Sequence, residues 1–328
     1  MGKVIITGDL HCDKGIWVDI CLEYLNSLQE YATKNNIEDI IIDGDIFEKS
    51  TKIKNEAFIP LFFKFMELKD AGFNLYFILG NHDVYNIDNE SIVKTFLPFG
   101  EVIQDFEQYE IQGKQVDMLA YTKEEDKIPE DGNVLITHLS IASFTFDNNY
   151  HVNEKIAFHP DQFSGYNMVF SGHFHRHQHK NNIVYVGSPY QLNFGEKSQK
   201  KGFVVLDLDD NNWEFVEYNE APKFVIIKPE QFNEVDVSNC FVKVKITEKL
   251  DNYIKLKHLL YEKGAIEVIP DYKEETDYSV DETNTDIDFN GEIKESMVEY
   301  INKVDVEDID NSLLLKIFDE ILDVAEAS

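Results

Sequence analysis

KVIITGDLH, at residues 3–11, decides the fold, because an apolar, strand-forming run ends there directly on an Asp-x-His. The same arrangement recurs four times before residue 176, each time as an apolar run followed at once by polar side chains. The recurrences are DIIIDGD (39–45), LYFILGNHD (75–83), VLITH (134–138) and NMVFSGHFH (167–175). If these runs are strands of one sheet, their polar ends collect at one edge, where open α/β sheets bind ligands.

The polar ends supply enough carboxylate, amide and imidazole groups for two metal ions. A lone Asp-x-His is expected about once by chance in such a chain and is weak evidence. Five segments in order, each after a predicted strand, make coincidence a poor explanation. Two divalent ions about 3.5–4 Å apart can bind a phosphate, activate a water and stabilise a leaving oxygen. Because the set contains no cysteine, a thiolate zinc site is disfavoured, while manganese, iron and zinc stay open.

This ordered set resembles the calcineurin-like metallophosphoesterases, whose pattern runs Asp-x-His, Gly-Asp, Gly-Asn-His-Asp/Glu, His and Gly-His-x-His. The resemblance implies a four-layer α/β/β/α sandwich, a small α+β capping domain and C-terminal helices. It also implies two divalent metal ions, with manganese as the first choice, and Asp45 bridging them. By the same resemblance, one ion is bound by Asp9, His11, Asp45 and His175, and the other by Asp45, Asn81, His138 and His173.

His82 has no ligand role in this scheme, because its neighbour Asn81 takes the metal position. We therefore predict that His82 contacts the phosphate and protonates the leaving oxygen, which an imidazole does well near neutral pH. In the phosphoprotein phosphatase branch, the partner that orients this histidine lies three residues after the Gly-Asp aspartate. That position is Glu48 here, and a solvated loop glutamate is the alternative.

The branch of the family follows from two further stretches. Residues 44–50 read GDIFEKS and lack the arginine and second glycine of the protein phosphatases. VGSPYQLNFGE (186–196) followed by KGFVVL (201–206) resembles the SbcD-type recombination nucleases, including their phage members, which share GDIFE-like and SGHFH segments. The resemblance implies a DNA exonuclease and endonuclease subunit of a recombination and double-strand-break repair complex, working with an SbcC-like coiled-coil ATPase. A stand-alone phosphodiesterase acting on small phosphate esters and a non-catalytic scaffold regulating an ATPase are the alternatives.

Net charge conflicts with unaided DNA binding. The chain carries −32, and residues 264–328 hold 20 acidic residues against 4 lysines. Sequence-independent DNA affinity comes from lysine and arginine, so we expect much of it to come from the partner. Candidate phosphate contacts are Lys49, Lys52, Lys54, Lys197, Lys200, Lys201 and Arg176, the single arginine. Solvated lysines and a structural ion pair for Arg176 are the alternatives.

Periodicity divides the chain into four parts. We predict a phosphoesterase domain at 1–220, a small α+β domain at 221–270, an acidic flexible linker at 271–290 and a helical segment at 291–328. By the family resemblance, the α+β domain would cap the DNA, and the helical segment would bind the coiled coil of the ATPase. Docking of that helical segment on the chain's own cap stays open. A helix at 55–71 is apolar around most of its circumference, which indicates either a second burial partner or burial within its own domain. By the family resemblance, that partner would be a second copy of the chain in a homodimer.

Three cysteines and no apolar run of 18 residues predict a protein of a reducing compartment, with no membrane partner. The sequence enters its first strand without a signal peptide. We therefore expect a cytoplasmic protein, in the host cytoplasm if a phage encodes it.

Overall fold

Fifteen strands and three α-helices form in the described residues, which in this computed structural model are 2–49, 53–84, 91–145, 157–246 and 253–272. The strands are β1 (Lys3–Thr7), β2 (Asp39–Ile42), β3 (Asn74–Ile78), β4 (Gly100–Ile103), β5 (Phe106–Ile111), β6 (Lys114–Leu119), β7 (Gly132–Thr137), β8 (Tyr166–Ser171), β9 (Gln178–Lys180), β10 (Ile183–Tyr185), β11 (Gly202–Asp207), β12 (Trp213–Glu217), β13 (Lys223–Ile227), β14 (Cys240–Ile246) and β15 (Glu267–Tyr272). The helices are α1 (Ile16–Asn35), α2 (Asn55–Asp70) and α3 (Tyr253–Glu262).

Two six-stranded sheets carry the five polar segments. The first has the order β12-β11-β1-β2-β3-β4, with β1 to β4 parallel. The second has the order β5-β6-β7-β8-β10-β9, with β6, β7, β8 and β10 parallel. The expectation that the five apolar runs share one sheet is therefore wrong, since three belong to the first sheet and two to the second. The predicted α/β class with two large packed sheets is confirmed.

Alternate residues of the second sheet face two different cores. Val134 and Ile136 of β7 join the large core shared with the first sheet, whereas Leu135 between them joins a separate core on the other face. Successive side chains of a strand point to opposite faces, so this pattern places the second sheet face to face with the first. The far face is covered by loops and by the short 3-10 helix Pro160–Phe163.

Helices α1 and α2 cover the first sheet. Helix α1 buries one stripe and ends at Asn36, whose left-handed backbone (φ 54°) lets Ile37 N–H bond the Ala32 carbonyl at 2.9 Å. Helix α2 buries Leu61 and Phe65 against the core and leaves Phe63 exposed.

A third sheet follows the phosphoesterase sheets. β13, β14 and β15 are all parallel, with α3 connecting β14 to β15, and they enclose a small core of their own. β15 extends to Tyr272, two residues past the predicted end of the cap at 270. The domain boundaries stay a prediction.

The chain divides into two units, 1–273 and 274–328. The second unit lies outside the described residues, and so do the predicted helical segment at 291–328 and all but two residues of the predicted linker. Among the described helices, none combines the length and the apolarity that crossing a bilayer requires.

Candidate active site

The polar segments meet where the ends of the two sheets come together. The backbone turns sharply there, with positive φ at Asp9 (48°), His11 (45°), Asp45 (52°) and His173 (89°). Such conformations are uncommon for residues with a side chain and cluster at functional sites. Gly44 permits close packing of its loop against His138, because a Cβ at residue 44 would lie 2.3 Å from His138 Nδ1.

One group of possible metal ligands comprises Asp9, His11 and His175, whose ligand atoms lie within 4.8 Å of one another. His11 Nε2 and His175 Nε2 face each other at 3.0 Å. Each ring has a carboxylate at its other nitrogen: Glu48 lies 3.0 Å from His11 Nδ1, and Glu196 lies 3.0 Å from His175 Nδ1. Because an ionised carboxylate only accepts hydrogen bonds, both Nδ1 atoms carry the proton and both Nε2 lone pairs point to the same place.

A second group comprises Asp45, His138 and His173, again within 4.8 Å, and a third comprises His11, Glu48 and His82. His138 Nε2 lies 3.2 Å from Asp45 Oδ2 and 3.2 Å from Asn81 Oδ1. His138 Nδ1 lies 2.7 Å from the Asp43 carbonyl, which can only accept, so Nδ1 carries a proton and Nε2 is the nitrogen that would face a metal ion.

Asp45 lies between the first and second groups. Its Oδ2 is 3.2 Å from His138 Nε2 and 3.7 Å from His11 Nε2, while its Oδ1 accepts the His82 backbone N–H at 2.8 Å. The structure thus brings all seven predicted ligands together, with Asp45, which was predicted to bridge the ions, between the other six.

The site is strongly acidic and dry. Four carboxylates, those of Asp9, Asp43, Asp45 and Asp83, are at most 1% exposed. Both Asp43 oxygens lack a hydrogen-bond partner among the described residues. Buried carboxylates are normally paired or coordinate metals, so the donor set fits divalent cations well.

These charges displace several pKa values. Burial and the Asp9 carboxylate raise the pKa of Asp43 well above its usual range. Burial opposes protonation of His138, yet the adjacent Asp45 carboxylate outweighs it and raises the pKa of His138 to about 10. Burial and the charge of His138 lower the pKa of His173 to about 3. Burial would raise the pKa of Asp45, but the His138 and His11 imidazoles hold it below its usual value.

His82 is half-buried, with its ring centroid 4.8 Å from that of His11. Its Nδ1 lies 2.6 Å from the backbone carbonyl of Glu48. Glu48 therefore contacts His82 through its main chain, whereas the side chain at this position was predicted to orient His82. The Glu48 carboxylate is hydrogen-bonded to His11, and that bond is the main cause of its lowered pKa.

Asp83 has a structural role that the sequence alone did not suggest. Its carboxylate accepts the backbone N–H groups of Asp45 (2.8 Å), Ile46 (3.1 Å) and Gly80 (3.0 Å). It thereby ties the loop after β2 to the loop after β3. Burial and the Asp45 charge raise the pKa of Asp83 to about 7. The Asp/Glu alternation at this position of the family pattern was the available signal for a required carboxylate.

The lysines predicted to contact DNA differ in their surroundings. Lys49 and Lys197 are exposed, Lys54 pairs with Asp13 at 3.1 Å, and Lys200 pairs with Glu217. Lys52 lies outside the described residues. Arg176 is half-buried next to His175.

Lys201 requires a correction. It is 5% exposed, and its Nζ lies 2.7 Å from the fully buried Glu196 carboxylate. It cannot reach a DNA backbone, because its ammonium group is enclosed by the protein. Burial would raise the pKa of Glu196, but the bonds from His175 and Lys201 lower it to about 2. Glu196, which lies within the quoted VGSPYQLNFGE stretch, was not among the predicted site residues.

Comparison with known proteins places this geometry in a family context. The sequence model of the calcineurin-like phosphoesterase family matches residues 2–177. Exonuclease subunit 1 of Enterobacteria phage T4 is 26% identical and aligns over 96% of each chain. The SbcD subunit of the SbcCD nuclease of Staphylococcus epidermidis is 28% identical and aligns over 78% of each chain. The solved structure of an archaeal phosphodiesterase aligns with 66% of this chain and 99% of its own chain, at 14% sequence identity and a TM-score of 0.38. A similarity this low carries no information on function.

Proposed function

The chain belongs to the calcineurin-like phosphoesterase family, matched over residues 2–177, and on that premise we propose that it is a two-metal DNA nuclease. Its proposed role is that of the exonuclease and endonuclease subunit of a recombination and double-strand-break repair complex. The observation that carries the proposal is the convergence of the other six predicted ligands on the buried Asp45 carboxylate. Two relatives with nuclease names, aligned over 96% and 78% of this chain, support a nucleic-acid substrate over a small ester.

In this proposal Asp9, His11, Asp45 and His175 hold one ion, and Asp45, Asn81, His138 and His173 hold the other. Two divalent ions in these positions would supply charge for binding the phosphodiester, an acidified water and stabilisation of the leaving oxygen. The mixture of carboxylate, amide and imidazole donors suits manganese, our choice among the candidates. The buried carboxylates contribute negative charge that favours cation binding, and the Nδ1 hydrogen bonds of His11, His138 and His175 hold those rings in the required tautomer.

His82 is the proposed general acid. Its Nδ1–H is engaged by the Glu48 carbonyl, so Nε2 is the nitrogen left to meet the substrate. A proton on Nε2 makes the ring an imidazolium, which can bind a phosphate oxygen and pass that proton to the departing sugar oxygen. The Glu48 main chain orients the ring, and the Glu48 carboxylate acts on the neighbouring ligand His11 instead.

Several of the lysines predicted to contact DNA are poorly placed to do so, which favours DNA binding by a complex with a partner protein. Lys54 and Lys200 are engaged by carboxylates and Lys201 is buried, so the exposed Lys49 and Lys197 remain the better candidates. With a net charge of −32, the chain needs basic surface from elsewhere to hold DNA. An SbcC-like coiled-coil ATPase is the proposed source, in keeping with the name of the Staphylococcus relative.

A homodimer through α2 completes the proposal. Ile59 and Phe63 of α2 are 49% and 56% exposed. Apolar side chains exposed this far on one helix suit a symmetric contact. Sedimentation of an Ile59→Asp/Phe63→Asp variant checks it: a monomer is expected where the unaltered chain sediments as a dimer.

Cleavage of end-labelled linear and circular DNA in the presence of Mn²⁺ tests the nuclease. The full chain is compared with Asp45→Asn and His82→Ala, each with and without the cognate ATPase. His159→Ala serves as a matched control, because this histidine is exposed where it caps the 3-10 helix Pro160–Phe163. We expect cleavage that rises with the ATPase, is lost in both site variants and is retained in the control.

The opposite pattern would overturn the proposal. If no DNA is cut under any of these conditions while a small chromogenic phosphodiester is hydrolysed, the chain is a stand-alone phosphodiesterase. If neither substrate is turned over, but the activity of the ATPase changes when the chain is added, the chain is a regulatory scaffold instead.

A further inference from the structure

Glu196 forms a fully enclosed ion pair beside the metal ligands. Its side chain is buried, and both oxygens are saturated. Oε1 accepts from His175 Nδ1 at 3.0 Å and from Asn193 Nδ2 at 2.9 Å. Oε2 accepts from Leu192 N–H at 3.0 Å and lies 2.7 Å from Lys201 Nζ. A carboxylate bound by four donors has a fixed position and can impose that position on His175.

Lys201 binds the same histidine through its main chain. Its Nζ donates to the His175 backbone carbonyl at 2.7 Å and to Ser188 Oγ at 2.7 Å, and Ser188 N–H bonds the same carbonyl at 3.1 Å. The contacts form a closed ring, running from the His175 imidazole through Glu196 and Lys201 back to the His175 main chain. The ring joins the GSP turn, the NFGE turn and the start of β11 to one ligand.

The two imidazoles of the first ligand group are supported differently. His11 is held by Glu48, whose side chain is 41% exposed, whereas His175 is held by Glu196, whose side chain is 0% exposed. In a dry environment a charged hydrogen bond is stronger and less screened than in water. Glu196 should therefore fix the ring of His175 much more firmly than Glu48 fixes the ring of His11.

We propose that Glu196 and Lys201 are a positioning pair for the metal centre. Glu196 keeps the proton on His175 Nδ1, directs Nε2 at the ion shared with Asp9 and His11, and raises the basicity of that nitrogen. Lys201 compensates the buried charge and fixes the main chain of the ligand. This inference rests on the proposed two-metal function and adds a dependence of one metal site on residues that never touch the ion.

Metal binding in the full chain provides the test, with calorimetric Mn²⁺ titration as the readout rather than catalysis. The variants are Glu196→Gln, Lys201→Met and the double variant Glu196→Gln/Lys201→Met. Lys200→Met is the matched control, because Lys200 is the adjacent lysine and pairs with Glu217 at the surface. Glu196→Gln preserves shape while removing charge, and the double variant leaves no buried charge unpaired.

We expect Glu196→Gln to weaken one of two Mn²⁺ binding steps roughly 10- to 100-fold, the usual effect of losing such a partner. The double variant should remain weakened to a similar degree, while the Lys200→Met control binds as the unaltered chain does. Histidine ¹⁵N NMR adds a second readout: one imidazole, assigned by its loss in His175→Ala, should show the Nδ1–H tautomer in the unaltered chain and a mixture of tautomers in the double variant.

Recovery of normal Mn²⁺ affinity in the double variant would overturn the inference, because the pair would then be a structural salt bridge whose breakage leaves a stranded charge. Unchanged binding in Glu196→Gln would do the same while leaving the nuclease proposal intact. If the unaltered chain bound no Mn²⁺, both this inference and the proposed two-metal function would fall. If Glu196→Gln fails to fold, Mn²⁺ binding by the double variant alone tests the inference.

Discussion

The two large sheets bring different chemistry to the edge where they meet. The first sheet supplies the oxygen donors Asp9, Asp45 and Asn81 together with His11 and His82, whereas the second supplies only imidazoles. Acid-rich loops on the first sheet are held in place by hydrogen bonds to Asp83, and the second-sheet ligand His175 is held by Glu196. Neither edge holds all of the predicted ligands, so the candidate site forms only where the two sheets pack face to face.

Removing the residue on which the two edges converge should have the largest effect. Asp45→Asn takes away the charge lying between the His11 and His138 nitrogens. We expect kcat for DNA cleavage to fall by roughly 10³-fold or more, since several kcal/mol of transition-state stabilisation depend on bound metal. Steady-state cleavage assays with Mn²⁺ measure it.

Asp117→Asn is the matched control for that change. Asp117 is also a buried aspartate, but it lies in β6 and bonds Tyr166 and two glutamines away from the ligands. The Asp117→Asn change should reduce stability and leave kcat within a few-fold of that of the unaltered chain. Equal loss of kcat in both variants would show that Asp45 matters only for folding.

His82→Ala sharpens the comparison by removing a first-sheet residue that is not a predicted ligand. Loss of a general acid costs about 10²- to 10⁴-fold in rate, and we expect the lower half of that range while Mn²⁺ binding stays unchanged. Parallel kinetic and calorimetric measurements separate the two effects. A large loss of Mn²⁺ affinity would instead make His82 a ligand.

Asp83→Ala should act on stability. The change leaves four backbone N–H groups of two buried loops without their acceptor. Stranded donors of this kind cost about 1–3 kcal/mol each, not additively. We expect the free energy of unfolding to fall by about 3 kcal/mol in urea titrations with EDTA. Asp83→Asn should be similarly unfavourable, because the side-chain NH₂ group of the asparagine would point at backbone N–H groups, which are also donors.

The residues that converge at the candidate site could be predicted from the sequence, because each follows an apolar run of strand length. The division into two sheets was not: the runs at 75–79 and 134–137 look alike, and only long-range pairing decides which sheet each joins. Asp83 was visible as part of a motif, but its acceptor role depends on the distant loop after β2.

The corrections share a physical reason. Lys201 belongs to a run of lysines that reads as exposed surface, and its burial depends on Glu196, a residue whose role is set by contact with the distant His175. In the same way, the Glu48 carboxylate turns to His11 while its carbonyl contacts His82. Sequence spacing indicates that two residues are neighbours but does not tell which atoms meet.

The pH dependence of stability should reveal how the second sheet supports its ligand. The pKa of Glu196 falls from 4.5 to about 2 in the folded chain. A lowered carboxyl pKa contributes stability that is complete above the unfolded value and is lost as pH falls from about 4.5 towards 2. Urea unfolding in EDTA across this window should show a slope that is shallower in Glu196→Gln/Lys201→Met; an unchanged slope would contradict the assignment.

The smallest effect is expected at the exposed lysines. Lys49→Ala and Lys197→Ala each remove one solvated charge, and we expect at most a few-fold rise in KM for DNA with unchanged kcat, more at low salt than at high salt. Salt-dependent cleavage assays measure this. A kcat loss comparable to that of His82→Ala would place these lysines in the chemistry itself.

The number of bound Mn²⁺ ions, and whether two of them are magnetically coupled, test the central claim most directly. Electron paramagnetic resonance of the full chain, titrated with Mn²⁺, reports both the number of ions and whether two of them share a ligand. The account predicts two ions per chain with an exchange-coupled signal that disappears in Asp45→Asn. A single ion, or two uncoupled ions whose signals are unchanged in Asp45→Asn, would contradict a site built jointly by the two sheets.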